Sequence, residues 1–496
     1  MRNWPAWPLP IFLLSIVWYF GAARYIGHGS DDYYYLAAVR CVADQFWCVP
    51  PEHWARRAPV ILPAAAFVRL LGLNQFALWL APALYAVVSI MVFTRLIGRL
   101  FGPATAMVSG SILVLTPAFS QLTPALGIDI AEFAFLMLAA YGIERNWATG
   151  RSNWAVFVGL ATGFAVMCRP TTLAIIPIFA FAFWKLKLDT RAILKALLAF
   201  LAMLLIEAGI YQFLAGNALL TWQLSLLHTT IPSTQLHGVN LNRSPLFNID
   251  FIRAWKPAAG IDAHWTVKGL INFAASPGLF LTFYWAMILG IIAAAKRTLP
   301  SGRMRLLGWL IVAALVYFAE LTFIFAIDPQ PRMFLAIVAL LCLICGAGVA
   351  TLPAGAFTTL GIVALSTIAF RGLTEPFSHP NFETINQKAV EIEKDFDNRL
   401  PIYSMTARGL ALDNRATAWP IFDQRSREVL VVGEGGCRRV KKWIGQPNWE
   451  TSREILATRP VPRMIGWMRQ KHLFVTNTYD PTLCVFSART SLTSHP

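Results

Sequence analysis

The sequence predicts a mainly α-helical, polytopic membrane protein that ends in a small α/β domain, and three observations carry that prediction. Of 496 residues, 56% are apolar and only 14% charged, against about 25% charged in an ordinary soluble domain. Apolar stretches of membrane-spanning length recur through residues 1–370 and then stop. Residues 371–496 instead hold 18 Lys/Arg and 13 Asp/Glu, with no apolar run of 18 residues. So much hydrophobic surface excludes a disordered chain, and the 18 Trp and 34 Phe suit the aromatic belts of a bilayer interface. A net charge of +16 is compatible with nucleic-acid binding. In a chain this apolar it reads instead as Lys and Arg fixing cytoplasmic loops, so the bilayer, not nucleic acid, is the expected partner.

A bilayer core of roughly 30 Å takes about 20 apolar residues of helix to cross. About eleven stretches qualify: 8–26, 74–97, 103–121, 126–144, 154–168, 170–186, 195–215, 277–295, 306–327, 332–350 and 353–370. The fifth and sixth share the break Cys168-Arg169-Pro170. With the N-terminus inside, 13 of the 42 basic residues fall in very short cytoplasmic loops, among them Arg95, Arg99, Arg145, Arg151, Lys185 and Arg303. That bias orients the chain in the cytoplasmic membrane, and an odd number of spans puts residues 371–496 outside. Residues 1–26, with small residues at Gly21-Ala22-Ala23, have features of a signal peptide, but the segment that follows favours an uncleaved first span.

Two long loops then face outward. In residues 27–73, Tyr33–Val42 and Pro59–Leu71 read as interfacial helices with apolar faces toward the lipid and Arg40 and Arg69 snorkelling. Residues 216–276 carry His228, His237, Arg243, Arg253, Lys256, His264 and Lys268, and could form a lid over a substrate. In the tail, Phe382–Leu400 reads as an amphipathic helix. Pro401–Met405, Glu428–Val432, His472–Val475 and Leu483–Phe486 read as short strands. Gly433-Glu434-Gly435-Gly436 lacks the Lys-Ser/Thr of a phosphate-binding P-loop and reads as a turn. Cys168, Cys342 and Cys345 fall in spans as small apolar side chains. Cys41 and Cys48 share the first outer loop, and Cys437 and Cys484 the tail. An oxidising exterior permits two disulfides there; no Cys/His set has the spacing of a zinc site.

The residues richest in chemistry are Ser30-Asp31-Asp32-Tyr33-Tyr34-Tyr35, just after the first span. One reading is a helix start, with Ser30 as N-cap and two acids complementing the helix dipole. The other is a carboxylate pair at the membrane surface, able to act as general base or to hold a cation. The two are compatible, because a cap can also position a base.

Asp31-Asp32-x-Tyr-Tyr with Arg40 eight residues on resembles the signature loop of the GT-C membrane glycosyltransferases, which include the protein O-mannosyltransferases and the lipid A aminoarabinose transferases. Further along, Arg57-Ala58-Pro59 and Leu71-Gly72 stand where relatives often have a Pro-rich stretch and a Leu/Phe-Gly. Asp129 resembles a second acidic position, Arg169-Pro170-Thr171 a basic-then-Pro/Thr helix start, and Arg332-Met333-Phe334-Leu335 an Arg-Tyr-Leu-like one. The pair is Asp-Asp where the mannosyltransferases have Asp-Glu, and Arg332 precedes Met, not the commoner Tyr. The resemblance therefore bears on fold and reaction class and leaves sugar and acceptor open.

The resemblance implies transfer of a sugar from a polyprenyl phosphate, with inversion, to an envelope glycolipid, glycan or protein on the outer face of the membrane. An acceptor hydroxyl must lose a proton as it attacks, so a carboxylate is needed within hydrogen-bond reach. Asp31 or Asp32 is the candidate base, the family pattern leaning toward Asp31, and Asp129 is a further catalytic candidate. Charge building on the departing phosphate calls for cationic donors, which Arg56, Arg57, Arg169 and Arg332 could supply. Asp31, Asp32 and Asp129 could also supply oxygen ligands to Mg²⁺ or Mn²⁺. A transporter or lipid-carrier flippase is the alternative, although no paired halves are visible.

The remaining candidates each have a plainer reading. Asp129 and Glu132 share a helix face at i and i+3, yet Asp129 also reads as a first-turn acid. Glu320 lies within an apolar span, where an acid is a functional candidate by default, or an interhelical salt bridge. Asp328 and Arg332 can pair at i and i+4. Glu207 reads as a packing or interfacial residue, and the loop histidines as solvated.

Overall fold

The computed structural model describes residues 6–20, 30–45, 48–49, 56–227, 235–236, 239–240, 249–255, 257, 260–327, 329–352, 355–374, 391–392, 394, 402–404, 416–418, 428–434, 437, 449–456 and 481–488. Every apolar stretch named above contains a helix. The helices are α1 (Pro8–Phe20), α2 (Ser30–Asp44), α3 (Ala58–Leu71), α4 (Gln75–Phe101), α5 (Pro103–Leu115), α6 (Pro117–Ser120), α7 (Ile128–Thr149), α8 (Asn153–Cys168) and α9 (Ile175–Lys185). They continue with α10 (Thr190–Ala215), α11 (Leu220–Leu227), α12 (Ile249–Arg253), α13 (Trp265–Ala274), α14 (Phe280–Ala295), α15 (Ser301–Ala319), α16 (Leu335–Thr351) and α17 (Ala356–Thr374). Among the described residues, four helical stretches are both long and apolar enough to cross a bilayer: Phe76–Phe101, Thr190–Ala215, Ser301–Ile324 and Pro331–Thr351. Seven further apolar helices are shorter. The protein is a multi-pass membrane protein.

Local chemistry sets the ends of these helices. Asn74 caps α4 by accepting from the Ala77 amide at 2.9 Å, supplying one of the partners that a helix N-terminus lacks. Gly150 closes α7 with φ of 64°, the left-handed conformation that suits glycine at this position. Helices α5 and α16 are the most enclosed and form the middle of the bundle, packed against α4, α14 and α17. Ser109 of α5 lies so close to Gly346 of α16 that no side chain would fit there, the small-residue contact by which membrane helices approach one another.

Helix α10 shows the opposite distribution. Its buried residues are Ala192, Ala199, Met203, Glu207 and Tyr211, a single stripe at helical spacing. Around the rest of it Leu194, Leu197, Leu198, Leu201, Leu205, Ile206, Ile210 and Phe213 are exposed. Water would not tolerate so continuous an apolar surface, whereas lipid would. The stripe seats against α8, where a Cβ on Gly159 would run into the Ala196 carbonyl and one on Gly163 would come within 2.7 Å of Met203 Cβ.

Residues 27–73 contain the two expected helices, with a different orientation. Tyr35, Leu36, Ala38, Val39 and Val42 of α2 are buried together with Val60, Ile61, Ala64, Ala65 and Val68 of α3. The apolar stripes therefore face each other and α4, where lipid was expected. Packed against each other and α4, the two stripes are removed from water by protein alone. Arg69 is exposed. A disulfide joins Cys41 to Cys48 across the end of α2.

In the tail, the described residues form one mixed sheet, with strands β3 (Ile402–Ser404), β4 (Ala416–Ala418), β5 (Glu428–Glu434), β6 (Trp449–Leu456) and β7 (Pro481–Ala488). A two-residue pairing of β1 (Gln235–Leu236) with β2 (Val239–Asn240) lies between α11 and α12. The order in the tail sheet is β4-β3-β5-β7-β6, parallel at β4, β3 and β5 and antiparallel from β5 through β7 to β6. Leu483, Cys484, Val485 and Phe486 are buried, and a disulfide ties Cys484 to Cys437. Strand β6 was not expected. Its Trp-Glu-Thr-Ser-Arg-Glu-Ile-Leu run is mostly polar, and a bulge between Thr451 and Arg453 interrupts its alternation. The expected strand His472–Val475 and most of the expected helix Phe382–Leu400 lie outside the described residues.

Candidate functional site

Pro170 organises the centre of the site. The residue before a proline is pushed away from helical geometry, and Arg169 accordingly adopts φ −149° and ψ 114°. Helix α8 stops there, with the Arg169 amide donating to the Ala165 carbonyl at 3.0 Å, and a short 3₁₀ turn, Pro170–Ala174, leads into α9. The break turns the Arg169 side chain onto the first turns of α7. Its Nη2 donates to Asp129 Oδ1, its Nη1 lies 2.8 Å from Glu132 Oε2, and Nη1 also reaches the Met333 carbonyl at 3.4 Å. Thr172, on the same 3₁₀ turn, donates to the other Glu132 oxygen. All four side chains are buried.

Such a cluster is costly to desolvate and holds only if each charge is met. Arg169 meets two carboxylates at i and i+3 on one helix face, and Thr172 and a backbone carbonyl supply further partners. The guanidinium of Arg169 is thus occupied within the protein, as is Asp129 Oδ1.

A second cationic pair stands beside it, at the start of α3. Arg56 and Arg57 are both buried, 6% and 5% exposed respectively. Their backbone is pinned from two sides. Tyr211 of α10 donates to the Arg56 carbonyl at 3.2 Å, and Tyr85 of α4 to the Pro59 carbonyl at 2.5 Å. The Arg56 guanidinium stacks over the Tyr211 ring at 5.9 Å, a cation–π contact. For Arg57, Nε and Nη1 are buried without a hydrogen-bond partner. Burial disfavours its charged form and lowers its pKa, while Tyr35 and Glu207 oppose that shift by attraction. A guanidinium does not deprotonate under such conditions; buried donors of this kind are matched to an anion.

Asp31 and Asp32 lie in the first turn of α2, as the helix-start reading requires, one turn before Tyr35, which is buried and interacts with Arg57. Their side chains lie outside the described residues. Arg332 is not drawn into the cluster by any ion pair among the described residues. It is half-buried and donates through Nε to Gln330 at 2.9 Å, while the carbonyl of its neighbour Met333 reaches Arg169. Asp328 lies outside the described residues. Glu320 opens a π-helical turn, Glu320–Ile324; its Oε2 is buried without a partner, and no interhelical salt bridge to it occurs among the described residues. His264 is exposed beside Thr266, while His228 and His237 lie outside the described residues.

Among the described residues no three His, Cys, Asp or Glu side chains converge as a metal site would require. Sequence reasoning passed over Thr172, Tyr211 and Glu207 as site residues. For Glu207 a signal was present, since a carboxylate inside an apolar span is costly enough to need a reason.

Fold and site together define a polytopic membrane protein with a buried charge cluster where the 27–73 segment meets the bundle, and that architecture is the GT-C fold. The chain superposes on the crystal structure of ArnT from Cupriavidus metallidurans bound to undecaprenyl phosphate, with a TM-score of 0.56 and 12% identity, covering 96% of this chain and 97% of that one. The Archaeoglobus fulgidus oligosaccharyltransferase in its apo form is also similar, with a TM-score of 0.49 and 13% identity over 84% of this chain and 64% of that one. By sequence, residues 58–211 match the family described as dolichyl-phosphate-mannose-protein mannosyltransferase. This matched segment runs from the start of α3 to Tyr211 and so contains Asp129, Glu132, Arg169 and Glu207. No curated protein matches by sequence.

Proposed function

We propose that the protein is an inverting glycosyltransferase. It moves a sugar from a polyprenyl phosphate to an acceptor hydroxyl at the outer face of the cytoplasmic membrane, with the N-terminus inside and the tail outside. The observation that carries the reading is Arg57, a buried guanidinium with two unpartnered donors, one residue from Arg56 and beside the helix that begins with Asp31 and Asp32. A phosphate is the anion such donors suit, and similarity to a lipid-phosphate-dependent fold supports that choice of ligand. The same similarity weighs against the transporter reading.

In this reaction the acceptor oxygen attacks the anomeric carbon from the face opposite the phosphate. Its proton passes to the carboxylate of Asp31 or Asp32 as the new C–O bond forms. The bond from the anomeric carbon to the phosphate oxygen breaks, and its electron pair stays on the phosphate, where Arg57 and Arg56 stabilise the growing charge. Arg169, committed to Asp129 and Glu132, holds α7, the α8 break and the segment at Met333 in one frame around the reacting groups. A divalent cation, if the reaction takes one, belongs at Asp31 and Asp32, because Arg169 already neutralises Asp129. Envelope glycolipid or glycan is the favoured acceptor.

The test is purified protein in lipid, supplied with radiolabelled polyprenyl-phosphate sugars and an envelope-lipid extract. Wild type is run beside Asp31→Asn, Asp32→Asn and Arg57→Gln, each checked for folding. Label transfer by wild type that is lost in one Asp variant and in Arg57→Gln is the expected result. Full transfer by all three variants would remove the assignments.

A further inference from the structure

Where α9 packs beside α15, charge and aromatic rings are built together on the lipid-facing side of the bundle. The Lys185 ammonium lies over the Trp309 ring, 4.7 Å from its centroid, and the Phe181 ring lies 5.5 Å from that of Trp309. Arg305 stands one turn before Trp309 on the same face of α15, and a helical side chain leans toward the turn that precedes it. The Trp309 ring thus lies between the Lys185 ammonium and the turn that carries Arg305. Both cations are exposed, and no salt bridge to either occurs among the described residues. Residues 185–195 and 296–305 hold eight Lys/Arg and one acid, Asp189. That acid is engaged as the cap of α10, accepting from the Arg191 amide at 3.3 Å.

Away from the charged end the same groove is apolar. Val312 and Val316 continue the Arg305 and Trp309 face of α15 and are exposed, as is Phe181 one turn from Lys185 on α9. Acyl chains suit such a surface and water does not. A lysine that only snorkelled would reach away from the apolar face. Lys185 instead folds back over Trp309, where the ring holds its charge and leaves it open to an anion. A second copy of the chain does not suit this face, because its eight cations would meet eight more.

We propose that the groove between α9 and α15 is a binding site for an anionic phospholipid of the bilayer. Its phosphate is held by Lys185 and Arg305, its glycerol region lies against Trp309, and its chains run along Phe181, Val312 and Val316. This site is separate from the one at Arg57: Lys185 ends α9, whereas Arg169 precedes its start, and the 11 residues of α9 span about 16 Å. The two groove helices nevertheless reach the buried cluster. Helix α9 follows the 3₁₀ turn Pro170–Ala174, α15 runs into the π-helical turn Glu320–Ile324, and these two turns pack on each other. A phospholipid seated between α9 and α15 therefore braces the segments that back Arg169 and Thr172.

The experiment is native mass spectrometry of the delipidated full-length protein in detergent, titrated with palmitoyl-oleoyl phosphatidylglycerol or with the matching phosphatidylcholine. Wild type should bind phosphatidylglycerol more tightly. Lys185→Gln/Arg305→Gln should bind it roughly 25-fold more weakly, about fivefold for each cation at an anionic headgroup, with phosphatidylcholine binding and Tm unchanged. Arg95→Gln/Arg151→Gln, which removes two exposed cations from other helix ends, should match wild type, as should the charge-conserving Lys185→Arg/Arg305→Lys. Equal affinity of wild type for the two lipids overturns the proposal without any variant. Undiminished phosphatidylglycerol binding by the double Gln variant overturns it, and so does an equal loss in Arg95→Gln/Arg151→Gln, which would mark diffuse attraction to the net charge. A preference lost in Arg57→Gln but kept by Lys185→Gln/Arg305→Gln would locate the lipid at the donor site and overturn it as well. None of these readouts involves sugar transfer, so the proposal stands or falls apart from the reading of the reaction.

Discussion

Replacing Arg169 by Gln removes the cation that two buried carboxylates share, and the structure sets the size of the effect. Asp129 and Glu132 have side chains only 10% and 6% exposed, so water can replace little of what the guanidinium supplies. With side chains about 6 Å apart at i and i+3, two unit charges repel by about 3 kcal/mol at an effective dielectric constant of about 20. The carboxylates can instead take up a proton between them. From a reference value of about 4, neutralising one at pH 7 costs about 4 kcal/mol, which caps the penalty. Attraction between Arg57 and Glu132 offsets part of it. The expected loss is therefore about 3 kcal/mol, in line with the ~3–5 kcal/mol seen when one member of a buried ion pair is deleted. The assay is reversible unfolding in mixed micelles, comparing Arg169→Gln with the triple variant Asp129→Asn/Glu132→Gln/Arg169→Gln. Because the triple variant removes both carboxylates together with the guanidinium they share, it should recover at least half of the lost stability. A single variant within about 0.5 kcal/mol of wild type would refute the buried ion cluster. A triple variant less stable than the single one would show that the carboxylates are held by something other than Arg169.

Arg57→Gln should weaken binding of undecaprenyl phosphate by about 10- to 100-fold with an unchanged Tm, as expected for charge-assisted hydrogen bonds of about 1.5–3 kcal/mol; the check is a titration beside thermal unfolding. Tyr211→Phe deletes the hydrogen bond to the Arg56 carbonyl and should cost about 1 kcal/mol, read as a modest fall in both Tm and lipid-phosphate affinity. Gly159→Leu should separate α8 from α10 and destabilise by more than about 3 kcal/mol through overpacking, whereas Gly209→Leu, with nothing within 4 Å, should leave Tm unchanged. Exhaustive dialysis against EDTA should leave binding of undecaprenyl phosphate intact, because its counter-charge in the proposed site is Arg57. Loss of binding restored by Mg²⁺ would place a cation between phosphate and carboxylates.

The membrane class, the helical stretches, the two helices between α1 and α4 and the resemblance that led to the fold were legible in the sequence because each depends on short-range pattern. A run of apolar residues states its solvent, a proline states where Arg169 must leave the helix, and Asp31-Asp32 before three tyrosines states a helix start. The tertiary structure decided which charges meet. Arg169 and Asp129 are 40 residues apart, and nothing local distinguishes an arginine that will ion-pair with two carboxylates, as Arg169 does, from one left with buried unpartnered donors, as Arg57 is. Tyr211 and Arg56 are 155 residues apart, and only the packing of α10 beside α8 and the start of α3 brings that ring to that backbone. Periodicity reports the face on which a side chain lies. The neighbour it finds there depends on how the helices pack, and electrostatic partnership, which falls off with distance, is settled only at that stage.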